Sequence, residues 1–311
     1  MHLLSRSSTS AFFLLLLATA ASTGSTPQNE SVLAHFTEQK KTWSSCLAKA
    51  MTKLETGGGY ACSRYALNNF IQAFHWDEAK GILMRPEKAR PSFCSSAVYG
   101  ALLLALNIWD SIHDRPVLDR KAWQALLPRR VADGVAPWGH ANANGPGLAV
   151  LVYALKAGYN FTQWNLAQPG DIMKLWWTEK IGAHERGHLT IYLTQTEDVV
   201  TFWASNQSNP GGKPGYGIKS VPKSTIRHVL FTRITKPEAF ANASSIGINK
   251  WLGSLLKTDI SPMEMYRYCG ISPSIKGNSS INTPYPSLST FLSGNIYRNW
   301  SSILSKNYLL R

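Results

Sequence analysis

The segment Arg90-Pro91-Ser92-Phe93-Cys94-Ser95-Ser96-Ala97 opens a long apolar run. Pro91 interrupts regular structure ahead of it, and Ser92 is of a type that caps helix N-termini by accepting hydrogen bonds from the first turn. The run that follows predicts a buried helix that continues to about Trp109. Cys94 therefore falls in the first turn of the helix around which the remaining chain is expected to pack.

Helical patterns come first along the chain, and strand patterns come later. Besides the helix at Cys94, the spacing of apolar residues predicts helices at Val32–Leu54, Cys62–Phe74, Asp119–Leu127 and Leu148–Lys156. A turn at Pro169-Gly170-Asp171 precedes segments rich in β-branched and aromatic residues, which predict strands at Ile172–Trp177, Leu189–Thr194, Val199–Trp203 and Val229–Ile234. This order predicts an α+β fold in which N-terminal helices pack on an antiparallel sheet.

The ends of the chain differ in character from its middle. Residues 1–26 combine a basic residue, Arg6, with the apolar run Ala11–Ala20, which ends in the small-residue cleavage pattern Ala18-Thr19-Ala20. This pattern is typical of a secretory signal peptide. An uncleaved membrane anchor is the alternative. Residues 27–241 are expected to form the main domain, and the Ser- and Asn-rich residues 242–311 a partly ordered C-terminal appendage. We therefore expect an exported protein, periplasmic or secreted, that meets the membrane only through its signal peptide.

The charge of the chain favours anionic partners. Lys and Arg number 32 against 18 Asp and Glu, which gives a formal charge of +14. The basic residues are scattered, so the pattern indicates a cationic surface and not a nucleic-acid-binding stripe. Export disfavours nucleic acid, so the charge supports an envelope location, among anionic envelope polymers or phospholipid headgroups, but it does not identify a substrate.

Four cysteines remain in a chain that is expected to reach an oxidising compartment. Cys46 and Cys62 are close in sequence, so we expect them to form a disulfide. Cys269 is an alternative partner for either. Cys94 is expected to stay reduced, because its position at a helix start suits a nucleophile.

The chemistry of the chain centres on Cys94 and His188. Unpaired N–H groups at a helix start stabilise a thiolate, and such a thiol needs a base that arrives from elsewhere in the fold. His188 is the candidate, because it opens a predicted strand directly after Gly187. A third polar group should orient its imidazole, and Asn206 at the end of the next strand is the candidate, with Gln207 as its competitor.

The chain resembles the NlpC-type cell-wall hydrolases of the papain-like superfamily in the order of three features. These are a cysteine at a helix start, a Pro-Gly-Asp turn into a strand, and a Gly-His pair at the start of another strand. The resemblance covers roughly residues 90–234. It implies that residues 27–241 form a papain-like cysteine hydrolase domain that cleaves amide bonds in peptidoglycan peptides without a cofactor. Cys94 would be the nucleophile, His188 the base and Asn206 the third member. Phe93 and Ser96 depart from the family's Asp-Cys-Ser-Gly motif, and the family's upstream tyrosine has no clear counterpart.

Two further motifs lie near these residues. The loop Trp138-Gly139-His140-Ala141-Asn142-Ala143-Asn144-Gly145 resembles a substrate-binding loop, with Trp138, Asn142 and Asn144 as candidate contacts, although an ordinary Gly/Asn turn accounts for it as well. His184-Glu185-Arg186-Gly187-His188 spells the zinc-protease motif, which requires a helix that Gly187 disfavours. We expect no metal site. A zinc peptidase and a catalytically silent envelope-binding protein are the alternatives to the cysteine hydrolase.

Overall fold

A computed structural model describes residues 42–272 of the 311-residue chain. The expected signal peptide at 1–26 lies outside the described residues, as do 27–41 and 273–311. The helices are α1 Trp43–Lys53, α2 Arg64–Ala73, α3 Cys94–Ser111, α4 Arg120–Leu126, α5 Ala136–Ala141, α6 Gly147–Ala154, α7 Lys250–Ser254 and α8 Pro262–Tyr268. Among these described helices, none has both the length and the apolar character needed to span a bilayer.

The strands form one large sheet and two small pairs. They are β1 Gly57–Gly58, β2 Phe74–Asp77, β3 Gly81–Met84, β4 Gly158–Phe161, β5 Ile172–Trp176, β6 Ile181–Gly182, β7 Gly187–Gln195, β8 Val199–Asn206, β9 Gly215–Pro222, β10 His228–Ile234 and β11 Asp259–Ile260. Seven of them make a sheet in the order β1-β9-β8-β7-β5-β10-β4, and all of its pairings are antiparallel. The mixed α+β class with an antiparallel sheet is therefore confirmed.

Helix α3 begins one residue later than a Ser92 cap requires. Phe93 occupies the N-cap position, where its side chain cannot accept a hydrogen bond. Ser96 compensates, because its hydroxyl accepts from the Phe93 N–H at 3.0 Å, which is the reverse half of a capping box. Ser92 instead donates to the Ser205 hydroxyl on β8 at 2.8 Å. The serine expected to cap the helix thus fixes the helix start to the sheet.

The pleat of the sheet separates two cores. Alternate side chains of β7, including Leu189 and Ile191, pack with α1, α3 and Trp203 in the main core. Tyr192 and Phe202 point to the opposite face and join a second core that contains no residue of α3. This alternation follows from the two-residue repeat of a strand, and it decides on which face each polar residue of β7 and β8 lies.

The Pro-Gly-Asp turn is held by a buried ion pair. Arg233 of β10 donates to both carboxylate oxygens of Asp171, at 2.8 and 2.6 Å, and Asp171 also accepts from the Gln168 N–H at 2.7 Å. Both members are buried, so each charge depends on the other for its solvation. The ion pair therefore fixes the expected Pro169-Gly170-Asp171 turn to β10, directly ahead of β5.

Several boundaries differ from those expected. The helix expected at Cys62–Phe74 ends at Ala73, and the hairpin β2–β3 follows it. The loop expected at Trp138–Gly145 begins inside helix α5, which ends at Ala141. The boundary expected at residue 242 does not separate two packing units, because Leu252, Met265 and Cys269 are buried against Trp176 of β5. Residues 250–269 are thus part of the fold, whereas the rest of the expected appendage, from 273, lies outside the described residues.

The burial of the Arg233–Asp171 pair predicts a large cost for breaking it. Arg233→Met should lower the free energy of unfolding by about 3–5 kcal/mol, since it leaves a buried carboxylate unpaired. Arg120→Met is the matched control, because Arg120 and Glu78 pair at the same 2.6 Å but are exposed, and its cost should stay below about 1 kcal/mol. Urea denaturation measures both, and equal losses would contradict the assignment.

Candidate active site

Cys94 faces a cavity of about 530 Å³ at the end of the sheet where β7 begins and β8 ends. We call it the Cys94 cavity. Its walls come from the segment before α2, the first turn of α3, the loop between α5 and α6, and strands β5 and β7, and they include Tyr60, Cys62, Phe93, Ser95, Asn142, Asn144, Lys174, Glu185, Gly187 and Leu189. Cys94 itself is half-buried, so its thiol is accessible from the cavity.

Tyr60 is the residue that sequence reasoning missed. Its hydroxyl accepts a hydrogen bond from the Cys62 thiol at 3.3 Å, and it lines the cavity beside Cys94. Burial raises the pKa of Tyr60, and the neighbouring Cys94 acts in the same direction. Tyr60 is therefore protonated. A bridge between Tyr60 and Ser92 places it, and local sequence carries no sign of that long-range contact.

The His188 imidazole is fixed by Asn206. His188 Nε2 lies 3.0 Å from Asn206 Oδ1, while Asn206 Nδ2 donates to Asn209 Oδ1 at 2.8 Å and to the Gly217 carbonyl at 3.2 Å. Because the amide nitrogen is occupied as a donor, its oxygen must face the ring, and an oxygen only accepts. Nε2 therefore carries the hydrogen, and Nδ1 keeps a free lone pair.

Burial keeps this imidazole neutral. It lowers the pKa of His188 to about 4, against the opposing hydrogen bond to Asn206 and with help from the charges of Lys174 and Lys219. At neutral pH His188 is thus an uncharged base whose basic atom is Nδ1. Within residues 42–272, Nδ1 makes no hydrogen bond.

His188 lies on the face of the sheet opposite to α3. Its ring packs against Trp177 and edge-on against Phe202, each at 5.7 Å between centroids, and it lines a second cavity of about 310 Å³, the His188 cavity. No hydrogen bond joins the Cys94 thiol to the imidazole in the described part of the chain. The two cavities adjoin, because Tyr60, Glu185 and Gly187 line both.

Gly187 is one of the three residues that line both cavities. A Cβ at this position would come within 2.9 Å of the Leu175 carbonyl oxygen and 3.0 Å of the Lys174 ammonium. Only glycine fits there without a shift of its neighbours, and it leaves the strand start bare between the two cavities.

The Glu185 side chain is largely buried, and its carboxylate connects several parts of the chain. It accepts hydrogen bonds from Lys174 Nζ at 2.7 Å, Trp176 Nε1 at 2.8 Å, and the N–H groups of Gly145 at 2.8 Å and Gly182 at 3.1 Å. Burial raises the pKa of Glu185, but the charge of Lys174 and the hydrogen bonds from Lys174, Trp176 and Gly182 outweigh it, so the pKa lies below its usual value. The carboxylate therefore ties the loop between α5 and α6 to β5.

The zinc-motif residues do not share a helix face. His184 lies in a turn, where its Nδ1 meets Asp259 Oδ2 at 3.1 Å, and His188 lies on strand β7. Glu185, which would serve as the base of a zinc peptidase, already binds four donors. The helix that the motif needs is absent from this segment because β7 begins at Gly187.

The three candidate substrate contacts have different outcomes. Trp138 is buried and packs between Phe70 and Tyr99, so it is a core residue, and the expectation that it meets substrate is wrong. Asn142 and Asn144 do line the Cys94 cavity. Asn142 Oδ1 accepts from the Ser95 hydroxyl at 2.7 Å, and Asn144 Nδ2 donates to the Gly182 carbonyl at 3.1 Å.

All four cysteines are free thiols. Cys46 is buried in the core that α1 forms with α3, whereas Cys62 is exposed beside Tyr60 at the Cys94 cavity. The expected disulfide between Cys46 and Cys62 is therefore not formed. Cys269 is a free thiol buried against Trp176, so the alternative pairing is not formed either.

Comparisons with protein-family models, with curated proteins and with solved structures find no match to this chain.

The Asn206 contact predicts the titration of His188. The ring should stay neutral, with its hydrogen on Nε2, from neutral pH down to about pH 4, and long-range ¹H–¹⁵N spectra report both properties. Asn206→Ala should lower the pKa further, because it removes the acceptor that favours the charged ring. A hydrogen on Nδ1 at neutral pH would contradict the arrangement.

The same shift predicts how stability depends on pH. The folded pKa lies below the unfolded value of 6.5, so the unfolded chain takes up the proton first as the pH falls. The contribution of His188 to the free energy of unfolding should therefore be full above pH 6.5 and should be lost as the pH falls towards about 4. Urea denaturation at several pH values should show a smaller decline in His188→Gln.

Proposed function

We propose that this protein is an exported, papain-like cysteine amidase or endopeptidase that hydrolyses an amide bond in peptidoglycan peptides. The observation that carries the proposal is the neutral His188, whose Nε2–H is fixed by Asn206 and whose Nδ1 lone pair is free. It lies at the same end of the sheet as the half-buried thiol that opens α3. A nucleophile, a base and a group that orients the base are the parts that cysteine hydrolysis requires.

The reaction is acyl transfer in two stages. His188 Nδ1 takes the proton of the Cys94 thiol, and the thiolate attacks the amide carbonyl carbon. The resulting oxyanion is held by the N–H groups of Cys94 and Ser95, which have no helical partner because α3 begins at Cys94. His188 protonates the leaving amine as the C–N bond breaks and a thioester forms. Water then gives a proton to His188 and releases the acid and the thiol.

This mechanism requires Cys94 and His188 to meet across Gly187. The two cavities adjoin there, and the absence of a side chain removes the obvious obstacle. Catalytic hydrogen bonds in substrate-free enzymes are often long and tighten only when substrate binds. Substrate that occupies both cavities would lie over Gly187, with its carbonyl between the thiol and the imidazole.

The substrate class follows from the resemblance and from charge. The NlpC-type hydrolases that the chain resembles act on cell-wall peptides, and a formal charge of +14 favours an anionic polymer. A zinc peptidase is disfavoured because Glu185 is bound by Lys174 and because His188 lies on a strand.

Cys94→Ala should abolish hydrolysis of purified sacculi. Hydrolysis is measured by mass spectrometry of the released peptides. Cys62→Ala is the matched control, since it removes a thiol from the same cavity and should retain most of the activity. Full activity of Cys94→Ala would refute the cysteine mechanism. Activity lost on chelation and restored by zinc would favour the metallopeptidase.

Asn206→Ala should reduce kcat by about 10²-fold or more, because the imidazole loses the group that sets its tautomer. Gln207→Ala is the control: Gln207 lines the same cavity but is exposed and makes no hydrogen bond to residues 42–272. A greater loss of kcat in Gln207→Ala than in Asn206→Ala would contradict the assignment.

A further inference from the structure

Lys219 lies beside the His188 imidazole without a partner for its charge. It sits opposite Phe202 across the β8–β9 pairing, so its side chain is on the same face of the sheet as His188. It is half-buried and lines the His188 cavity. Its ammonium makes no ion pair or hydrogen bond with any of the described residues.

Lys174, in contrast to Lys219, forms an ion pair within the protein. Its ammonium is 2.7 Å from Glu185 Oε1, with both side chains largely buried, so its charge is neutralised by the protein itself. Lys219 has no such carboxylate. A half-buried ammonium gains from an anion nearby, and at this position only a bound molecule would supply one.

Two further residues that line the cavities are also positively charged. Arg186 at the His188 cavity and Arg64 at the Cys94 cavity are exposed, and neither guanidinium has a partner among residues 42–272. Glu185 is the one carboxylate among the residues that line the two cavities, and Lys174 already holds it. A substrate therefore meets three cations whose charge the protein does not offset.

The two cavities differ in their apolar surface. The Cys94 cavity is lined by Leu67, Phe93, Leu148, Ile172 and Leu189. The His188 cavity is smaller and offers Trp177 and Phe202 beside Arg186 and Lys219. Charge recognition is thus concentrated on the His188 side of Gly187.

We propose that the His188 cavity is a carboxylate-binding subsite, in which Lys219, assisted by Arg186, binds a carboxylate on the part of the substrate peptide next to the scissile amide. The proposal rests on the proposed function, because it assumes that a peptide lies across both cavities. It narrows the substrate class to peptides with a free carboxylate beside the cleaved bond, and it predicts that peptides amidated there are poor substrates. The larger Cys94 cavity binds the part of the peptide on the other side of the scissile amide.

Binding to a Cys94→Ala variant tests the subsite without turnover. The probe is a disaccharide tetrapeptide purified from sacculi, native or with its carboxyl groups converted to amides, and Kd is measured by calorimetry. Lys219→Gln in the Cys94→Ala background should weaken binding of the native probe about tenfold. Lys257→Gln is the matched control, because Lys257 is exposed and lines neither cavity, and it should leave Kd unchanged.

The outcomes separate the subsite from the proposed function. Amidation of the probe should cost as much as Lys219→Gln, and the two changes together should cost no more than one of them, because they remove the same contact. Equal Kd values for Lys219→Gln and Lys257→Gln, or no binding of the native probe, would overturn the subsite. Hydrolysis by Cys94→Ala would refute the cysteine mechanism while leaving a Lys219-dependent Kd intact.

Discussion

The packing of α3 on one face of the sheet is the constraint on which the rest of the structure depends. The helix is buried along nearly its whole length, and Leu189 and Ile191 of β7 hold it in place. Because side chains alternate along a strand, the residue between Gly187 and Leu189 must point to the other face. The same packing that fixes Cys94 at the rim of the sheet therefore assigns His188 to the opposite side. Any chemistry that uses both has to cross from one cavity to the other, where Tyr60, Glu185 and Gly187 line both.

Polar contacts hold that edge. Ser92 ties the start of α3 to β8, and Ser95 ties its first turn to Asn142. Glu185 gathers four donors from three parts of the chain. A loop with this many buried hydrogen bonds is costly to displace, since each lost bond leaves a polar group unsatisfied. The thiol, the imidazole and the rim between them thus stand on a rigid support, as a preorganised site requires.

The sequence predicts the parts of this arrangement that depend on local pattern. Apolar runs and β-branched segments identify α3, α4 and the four central strands to within a few residues, because periodicity and caps such as Asp119 are encoded locally. The pair of His188 and Asn206 is also foreseen, since adjacent antiparallel strands place their ends side by side. The sequence does not predict the place of Tyr60 in the site or the burial of Trp138, because both depend on contacts between distant segments. The face on which His188 lies depends on register relative to α3, which a one-residue shift would reverse.

The most direct test of the account is the rate at which iodoacetamide alkylates Cys94 in the wild type and in His188→Gln, with the modified residue located by peptide mapping. If the thiol and the imidazole act together across Gly187, Cys94 should react quickly near neutral pH, and His188→Gln should slow it by at least about tenfold. Cys62, in the same cavity, provides the internal reference and should react at the same rate in both proteins. Equal alkylation rates of Cys94 with and without the imidazole would contradict the account.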